Sequence, residues 1–334
     1  MYHRPVSVFG MSGRKPMAVG FEFCLLGPLL VRSDGAVVPV ERAKQRILLA
    51  ALLLDANRAV GADALAEALW GSATPPSARN TVRNYVKRLR DELGEAGRAR
   101  ISTRPRGYAM QVNAGELDIQ RFETLLAAAR SAAHDGSWTA AADEANAAMT
   151  LWRGEALADV ESDLLTQREV PRLTEMRLQA LEVRVDAAVH LGRQAEVISE
   201  LRQHVITNPL RERFHALLML ALYCDGRQAE ALAAYRHAYR VLVDELGTEP
   251  GTELRDLHLR ILSGKPAFSL PEPASVAEMR ALHRALHMDR VVIVNPSVYG
   301  TDNSCTVDAM KQLGPRARAI AVGNCDNSNT RIFH

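Results

Sequence analysis

The sequence predicts a mainly α-helical protein that begins with an α+β module and ends with a short α/β fragment. Three observations lead to this fold class. Short β-prone runs enclose three helical patterns over residues 21–112, a five-residue motif recurs at a fixed spacing within 115–263, and a β-branched run follows a proline-containing linker in 264–334. Residues 1–20 are predicted to be a flexible extension.

The charge is divided unevenly along the chain. The 334 residues are 47% apolar and 24% charged, which is ordinary for globular proteins. Residues 21–112 contain 14 Lys and Arg against 9 Asp and Glu, whereas residues 113–262 contain 16 against 24. A basic module followed by an acidic one is typical of a nucleic-acid binder that carries a separate interaction domain.

The cysteines and apolar runs predict a cytoplasmic protein. Four cysteines lie far apart without a CxxC motif, so we expect reduced thiols and no zinc site. The longest apolar run, ILLAALLL at 47–54, is too short to cross a bilayer. Residues 1–20 contain no apolar core of a signal peptide, and we therefore expect no membrane association.

The first module has the element order of a winged helix-turn-helix. Residues 21–40 contain short β-prone runs, and helical periodicity follows at 43–57 and 61–70. A proline-containing loop leads to a third helix within 75–94, and after a glycine-containing turn the residues 99–112 read as a hairpin. Strands, three helices and a hairpin in this order predict a helix-turn-helix with a wing.

The third helix has an unusual polar face. Placed at 100° per residue, Val82, Tyr85, Val86, Leu89 and Leu93 form one apolar arc that suits docking on a core. The opposite arc contains no carboxylate and consists of Arg79, Asn80, Arg83, Asn84, Lys87 and Arg90, with Arg88 at its margin. Such a face is either merely solvated or binds nucleic acid, and the surrounding wing favours binding.

In this arrangement the third helix enters the major groove of double-stranded DNA while the hairpin reaches the adjacent backbone. Arginine offers a bidentate fork to guanine and asparagine pairs with adenine, but the sequence does not separate base contacts from phosphate contacts. Arg104 and Arg106 at the hairpin tip are candidate backbone or minor-groove contacts. Lys44, near the start of the first helix, could reach a phosphate, and Tyr108 is expected to pack within the wing.

Five stretches follow one another in the first module: FCLLGPLLV, AKQRILLAALLLDANRAV, ALAEALWG, PPSARNTVRNYVKRLRDELG and TRPRGYAM. Together, in this order, they resemble the OmpR-type winged helix of the Streptomyces antibiotic regulatory protein family. The resemblance covers about 90 residues. It implies binding to tandem direct repeats in promoters by a side-by-side pair of protomers, a homodimer at least on DNA. It also implies contact with RNA polymerase and control of secondary-metabolite gene clusters.

The second module contains an internal repeat. The motif GRQAE begins at Gly192 and again at Gly226, and this spacing is the period of tetratricopeptide helix pairs. Asn208-Pro209 and Glu249-Pro250 are expected to mark turns between helices, and 153–173 is expected to be a linker-like insertion. A plain helical bundle is the alternative. The span resembles the bacterial transcriptional activation domain of the same family, and its scattered histidines show no metal-ligand spacing.

The tail, 264–334, breaks this pattern. Over about 50 residues it reads as helix, strand, helix, strand and resembles part of a metal-dependent amidohydrolase of TIM-barrel fold. The HxH motif that begins the metal site of that family is absent, and one or two βα units cannot close a barrel. His283 and His287 are four residues apart, but we expect them to be ordinary surface residues.

The sequence therefore predicts a sequence-specific DNA-binding transcriptional activator that is not an enzyme. We expect no catalytic residues, no cofactor and no metal. No GxxxxGK[ST] motif occurs, so we expect a short, stand-alone regulator without an ATPase domain. The alternatives are a protein-interaction scaffold that uses the helical repeats, or a hydrolase.

Overall fold

The computed structural model describes residues 20–265, 291–294, 304–313, 317–320 and 332–333. The chain divides into two compact units, Met1–Leu191 and Gly192–His334. The extension predicted at 1–20, apart from Gly20, and His283 and His287 in the tail lie outside the described residues. None of the helices in the described ranges combines the length and the apolar character needed to cross a membrane.

The first unit begins with a winged helix, as predicted. Strands β1 (Phe21–Cys24), β2 (Leu30–Ser33) and β3 (Ala36–Val37) form an antiparallel sheet. Three helices follow, α1 (Ala43–Leu54), α2 (Ala62–Trp70) and α3 (Ala78–Glu92). A second sheet combines β4 (Val60–Gly61) with the hairpin of β5 (Ile101–Arg104) and β6 (Gly107–Met110), in the order β4-β6-β5.

The core of the winged helix forms around α1. Every residue of α1 from Ile47 to Leu53 is buried, which explains why this helix is apolar on all sides instead of amphipathic. The inner face of α3 packs on this core through Val82, Val86 and Leu89, as the helical wheel predicts. These contacts hold α3 so that its opposite face is turned outward.

The segment after α3 differs from the sequence prediction. Where a turn was expected, the structure has the short helix α4 (Gly94–Arg100). Gly94 has a φ of +71°, which suits glycine and separates the two helices. Gly97 lies within α4, and its position requires glycine because a β-carbon there would collide with the side chain of Leu93 and approach Phe21. Both glycines therefore serve a helix–helix junction, although they suggest a loop in the sequence.

Three further helices belong to the first unit: α5 (Asp118–His134), α6 (Trp138–Thr150) and α7 (Asp163–His190). One continuous apolar core joins them to the winged helix. The expected linker at 153–173 is wrong in its second part, because α7 starts at Asp163 and continues through Pro171. The preceding loop is also packed, with Ala156, Leu157 and Val160 buried.

Polar contacts reinforce this junction. Asp118 at the start of α5 accepts hydrogen bonds from the backbone N–H groups of Leu25 (2.7 Å) and Leu26 (2.8 Å) through one carboxylate oxygen. Ser162 donates a 2.7 Å hydrogen bond to the carbonyl of Ala68 at the end of α2. The winged helix and α5–α7 are therefore joined by buried polar groups as well as by apolar packing.

The second unit contains helices α8 (Gln194–Thr207), α9 (Glu212–Cys224), α10 (Gln228–Leu246) and α11 (Thr252–Leu262). The two GRQAE motifs fold alike. Gly192 and Gly226 have φ values of +74° and +76°, a helix starts two residues after each, and each motif's arginine pairs with its glutamate. The turns predicted at Asn208-Pro209 and Glu249-Pro250 separate α8 from α9 and α10 from α11.

The described parts of the tail form a small α/β element. Strand β7 (Val291–Val294) pairs in parallel with β8 (Ala317–Ile320), and α12 (Ser304–Leu313) lies between them in sequence. Strand β9 (Ile332–Phe333) pairs antiparallel with β8. The last three elements of the predicted order, strand, helix and strand, are therefore confirmed, whereas the helix predicted before β7 lies outside the described residues. The overall class is mainly α.

Candidate nucleic-acid interface

The outer face of α3 is polar and exposed. The exposed residues are Arg79, Asn80, Arg83, Asn84, Lys87 and Arg88, whereas Val82, Val86 and Leu89 on the inner face are buried. Among the described residues, no carboxylate lies within ion-pair distance of Arg83, Lys87 or Arg88. The helix thus presents a strip of positive charge and amide groups to solvent.

The β5–β6 hairpin forms the wing beside this helix. Arg104 pairs with Gly107 in the strand register, so Pro105 and Arg106 make the turn. The side chains of Arg104 and Arg106 are exposed at the tip. Tyr108 is buried, with the guanidinium of Arg90 5.9 Å from the centre of its ring, so it packs within the wing as expected.

A groove of about 510 Å³ lies between α3, the start of α2 and the wing. Its lining brings together side chains that the sequence separates by more than 40 residues: Ala62, Asp63, Arg79, Arg83, Thr103, Arg104, Pro105, Arg106, Gly107 and Tyr108. Four of these residues are arginines. Two of the residues predicted on the helix, Arg79 and Arg83, therefore border the same space as the two predicted on the wing, Arg104 and Arg106.

Asp63 is the one carboxylate among the residues that line this groove, all of which the structure describes. Its two oxygens accept hydrogen bonds from Nε (2.7 Å) and Nη2 (2.6 Å) of Arg79. These hydrogen bonds lower the pKa of Asp63 and raise the pKa of Arg79. Both side chains are more than 70% exposed, so the pair lies at the surface.

Two predicted site residues are bound within the protein. The guanidinium of Arg90 donates through Nε (3.2 Å) and Nη2 (2.7 Å) to the carbonyl of Ile101, and it also contacts the hydroxyl of Thr103. The ammonium of Lys44 donates to the carbonyl of Leu69 and lies 6.0 Å from the centre of the Trp70 ring. Arg90 thus connects α3 to the wing, and Lys44 connects α1 to α2.

Two residues of the site were not identified from the sequence. Asp63 was not among the predicted site residues, and nothing in the sequence indicates its partner 16 residues later. Gly107 is buried where a β-carbon would collide with the carbonyl of Val60. The RPRG turn was a signal for the second residue, because a glycine beside a hairpin turn often permits close backbone approach.

Three histidines of the helical region contact protein groups. Trp138 stacks on His190 with ring centres 3.6 Å apart, and Tyr235 stacks on His258 at 3.7 Å. His215 is buried, and its Nε2 lies 2.8 Å from the carbonyl of Pro209. In the part of the chain that the structure describes, no group of three or more His, Cys, Asp or Glu residues could hold a metal ion.

The winged helix, its basic face and the attached helical region define a class, the DNA-binding transcriptional regulators. Two family descriptions match the chain: "transcriptional regulatory protein, C terminal" over residues 31–110, and "bacterial transcriptional activator domain" over residues 117–262. Both descriptions name transcriptional regulation, which agrees with the class that the fold and the basic face define.

Individual proteins of this class are similar to the chain in sequence and structure. The regulatory protein DnrI of Streptomyces peucetius is 34% identical over 76% of this chain and 98% of DnrI. The regulatory protein AfsR of Streptomyces coelicolor is 39% identical over 85% of this chain, which spans only 28% of AfsR. A solved structure of Mycobacterium tuberculosis EmbR, in complex with a low-affinity phosphopeptide, matches with a TM-score of 0.71 and 34% identity, covering 81% of this chain and 72% of EmbR.

The chain belongs to the Streptomyces antibiotic regulatory protein family of transcriptional regulators.

Proposed function

We propose that this protein is a sequence-specific transcriptional activator that works in the cytoplasm on promoters of a secondary-metabolite gene cluster and has no enzymatic activity. One observation carries the proposal. One groove is bordered by Arg79 and Arg83 of the exposed α3 face and by the two arginines at the wing tip, so a single duplex can contact both elements.

In the proposed complex α3 lies in the major groove, which is about 12 Å wide. Its contacts come from Arg79, Asn80, Arg83, Asn84, Lys87 and Arg88, and the arginines bind guanine edges or phosphates while the asparagines suit adenine. Arg104 and Arg106 reach the adjacent sugar-phosphate backbone. Arg90 and Lys44 act mainly inside the protein, where they hold α3, the wing and α1 in place.

The helical region supplies the protein contacts in this proposal. Two protomers bind side by side on tandem direct repeats, and the complex recruits RNA polymerase. The family resemblance and the match to a bacterial transcriptional activator domain support this step. A protein-interaction scaffold is the second candidate, and it is favoured by exposed apolar side chains in the second unit, such as Leu246, Leu259 and Leu262.

Footprinting tests the proposal on DNA. The full chain is incubated with its own upstream region and with neighbouring promoters, and protection is expected over two direct repeats. Sedimentation of the protein–duplex complex should give two protomers per site, and transcription by added RNA polymerase should increase. A folded protein that protects none of these fragments and leaves transcription unchanged would favour the scaffold.

A further inference from the structure

Arg79 differs from the other cations of the α3 face because a carboxylate already holds it. Asp63, in the first turn of α2, binds the Nε and Nη2 atoms of Arg79 in a fork-to-fork arrangement. The remaining exposed cations of this face, such as Arg83 and Lys87, have no such partner among the described residues. The pair therefore singles out one arginine at the N-terminal end of the helix.

The pairing leaves one edge of the guanidinium available. A guanidinium has five N–H donors, and the carboxylate of Asp63 uses one on Nε and one on Nη2. Both donors of Nη1 and the second donor of Nη2 remain. Together they form a fork that matches the O6 and N7 acceptors of guanine. Arg79 can thus bind a base edge while it stays bound to Asp63.

The carboxylate also changes what Arg79 prefers to bind. Its negative charge offsets that of the guanidinium, which weakens the attraction to phosphate that other surface arginines have. It also limits the rotamers of a long, exposed side chain, so less conformational freedom is lost when a base is bound. Both effects favour a base contact over a phosphate contact.

A purely structural role does not account for the pair. Both side chains are largely exposed, and exposed ion pairs contribute little to stability. Helices α2 and α3 are already held together by buried side chains, among them Leu65 and Val82. The pair also borders the groove between α3 and the wing, where DNA is proposed to bind.

We propose that Asp63 is a specificity-determining positioning residue, which directs Arg79 to a guanine and away from the phosphate backbone. This inference rests on the proposed DNA binding and extends it. Asp63 touches no base itself. It acts through the orientation and charge of Arg79.

The test measures the contribution of single base pairs. The full-length chain first selects its site from a pool of randomised duplexes. Dissociation constants are then measured for the selected duplex, for duplexes in which each base pair of one repeat is replaced, and for an unrelated duplex. The variants are Arg79→Ala, Asp63→Ala and, as a matched control, Glu67→Ala. Glu67 is an exposed acid on the same helix that has no contact with Arg79.

In the unmodified chain, replacement of one G·C pair should weaken binding roughly tenfold or more. Arg79→Ala and Asp63→Ala should both reduce this penalty to about twofold or less and leave the penalties at other positions in place. Asp63→Ala should also bind the unrelated duplex as tightly as the unmodified chain or tighter, since a negative charge is removed near phosphates. Glu67→Ala should keep the whole profile.

An unchanged penalty in Asp63→Ala would overturn the inference, as would an Arg79→Ala variant that weakens all duplexes equally. Failure to enrich any sequence would instead contradict the proposed function itself. Thermal unfolding of each variant separates these outcomes from loss of folding.

Discussion

Arg90 on α3 is bound to Ile101 at the start of the wing by two hydrogen bonds from its guanidinium to one carbonyl oxygen, at 2.7 and 3.2 Å. Helix α3 and the wing are separate in sequence, and this contact fixes one against the other. An arginine that the helical wheel assigns to the polar face of α3 thus sets the geometry of that face.

Arg90→Ala should destabilise the winged helix. The change leaves the Ile101 carbonyl without these donors and removes packing on Tyr108, so we expect a loss of about 1 to 2 kcal/mol in the free energy of unfolding. Urea unfolding followed by tryptophan fluorescence measures this, because all three tryptophans lie in the first unit. Lys87→Ala, on the exposed face of the same helix, should change stability by less than about 0.5 kcal/mol. Equal stability of the two variants would show that the Arg90 contact is unimportant.

Gly107→Ala should distort the wing. A β-carbon at this position collides with the carbonyl of Val60 and lies 2.9 Å from the α-carbon of Gly61, and neither backbone atom can move without breaking the β4–β6 pairing. We expect a loss of more than about 2 kcal/mol and weaker DNA binding.

Gly61→Ala is the matched control for this change. Gly61 is the direct partner of Gly107 in the strand pair, but a β-carbon there meets only the Arg106 carbonyl at 3.9 Å. Its φ of −64° suits any residue. This variant should lose less than about 1 kcal/mol. A similar loss for both glycines would mean that close backbone approach at Gly107 is not the cause.

Asp118→Ala should loosen the junction between the winged helix and α5. It leaves two buried N–H groups, those of Leu25 and Leu26, without an acceptor, and we expect a loss of about 2 to 4 kcal/mol. Asp118→Asn keeps an oxygen acceptor for these N–H groups. It also removes a carboxylate charge that is unfavourable inside the protein, since burial raises the pKa of Asp118, so Asp118→Asn should be the milder change. Tryptophan fluorescence during urea unfolding compares the two. Asp143→Ala, at an exposed position of α6, should have little effect.

The sequence predicts local patterns in this protein better than long-range polar contacts. The inner face of α3 follows from periodicity, and the turns at Asn208-Pro209 and Glu249-Pro250 follow from their turn-forming residues; both were predicted correctly. The α4 helix was missed because Gly94 and Gly97 suggest a loop. The start of α7 was missed because Pro171 and the acidic run before it suggest a linker.

The pairing of Asp63 with Arg79, of Arg90 with Ile101 and of Ser162 with Ala68 could not be predicted. These contacts join residues 11 to 94 positions apart, and no periodicity in the sequence specifies them. The exposure of the α3 cations was predictable because it is the other side of a buried apolar face. The internal bonding of Arg90 was not, because it depends on where the wing folds back.

The second unit should lose stability in mild acid through His215. Burial lowers the pKa of this histidine from 6.5, with His237 acting in the same direction, while the Pro209 carbonyl and Glu212 oppose the shift. Protonation would place charge on Nδ1, which is buried and has no hydrogen-bond partner among the described residues. The unfolded chain binds more protons than the folded chain below about pH 6.5, so stability is complete above this pH and falls as the pH decreases towards the folded-state pKa.

Calorimetry of the full chain measures this loss of stability from about pH 7.5 to about pH 5, the range in which an ordinary histidine titrates. His215→Gln keeps a side-chain donor for the Pro209 carbonyl and should show a smaller decrease in melting temperature of the second unit on acidification. Some decrease should remain, since burial also lowers the pKa of His258. An unchanged pH dependence in His215→Gln would exclude His215 as the cause.

We expect the exposed face of α3 to bind DNA phosphates and bases. Fluorescence anisotropy of a labelled, selected duplex, titrated with protein over a range of salt concentrations, measures this binding. Arg83→Ala and Lys87→Ala should each bind the duplex much more weakly and unfold like the unmodified chain. Where the lost side chain contacts a phosphate, the slope of log affinity against log salt concentration should become shallower by about one. Arg32→Ala, which removes an exposed arginine from β2 instead, should behave like the unmodified chain. Unchanged affinity and salt dependence in folded Arg83→Ala and Lys87→Ala, or an equal loss in Arg32→Ala, would show that DNA does not bind on this face of α3.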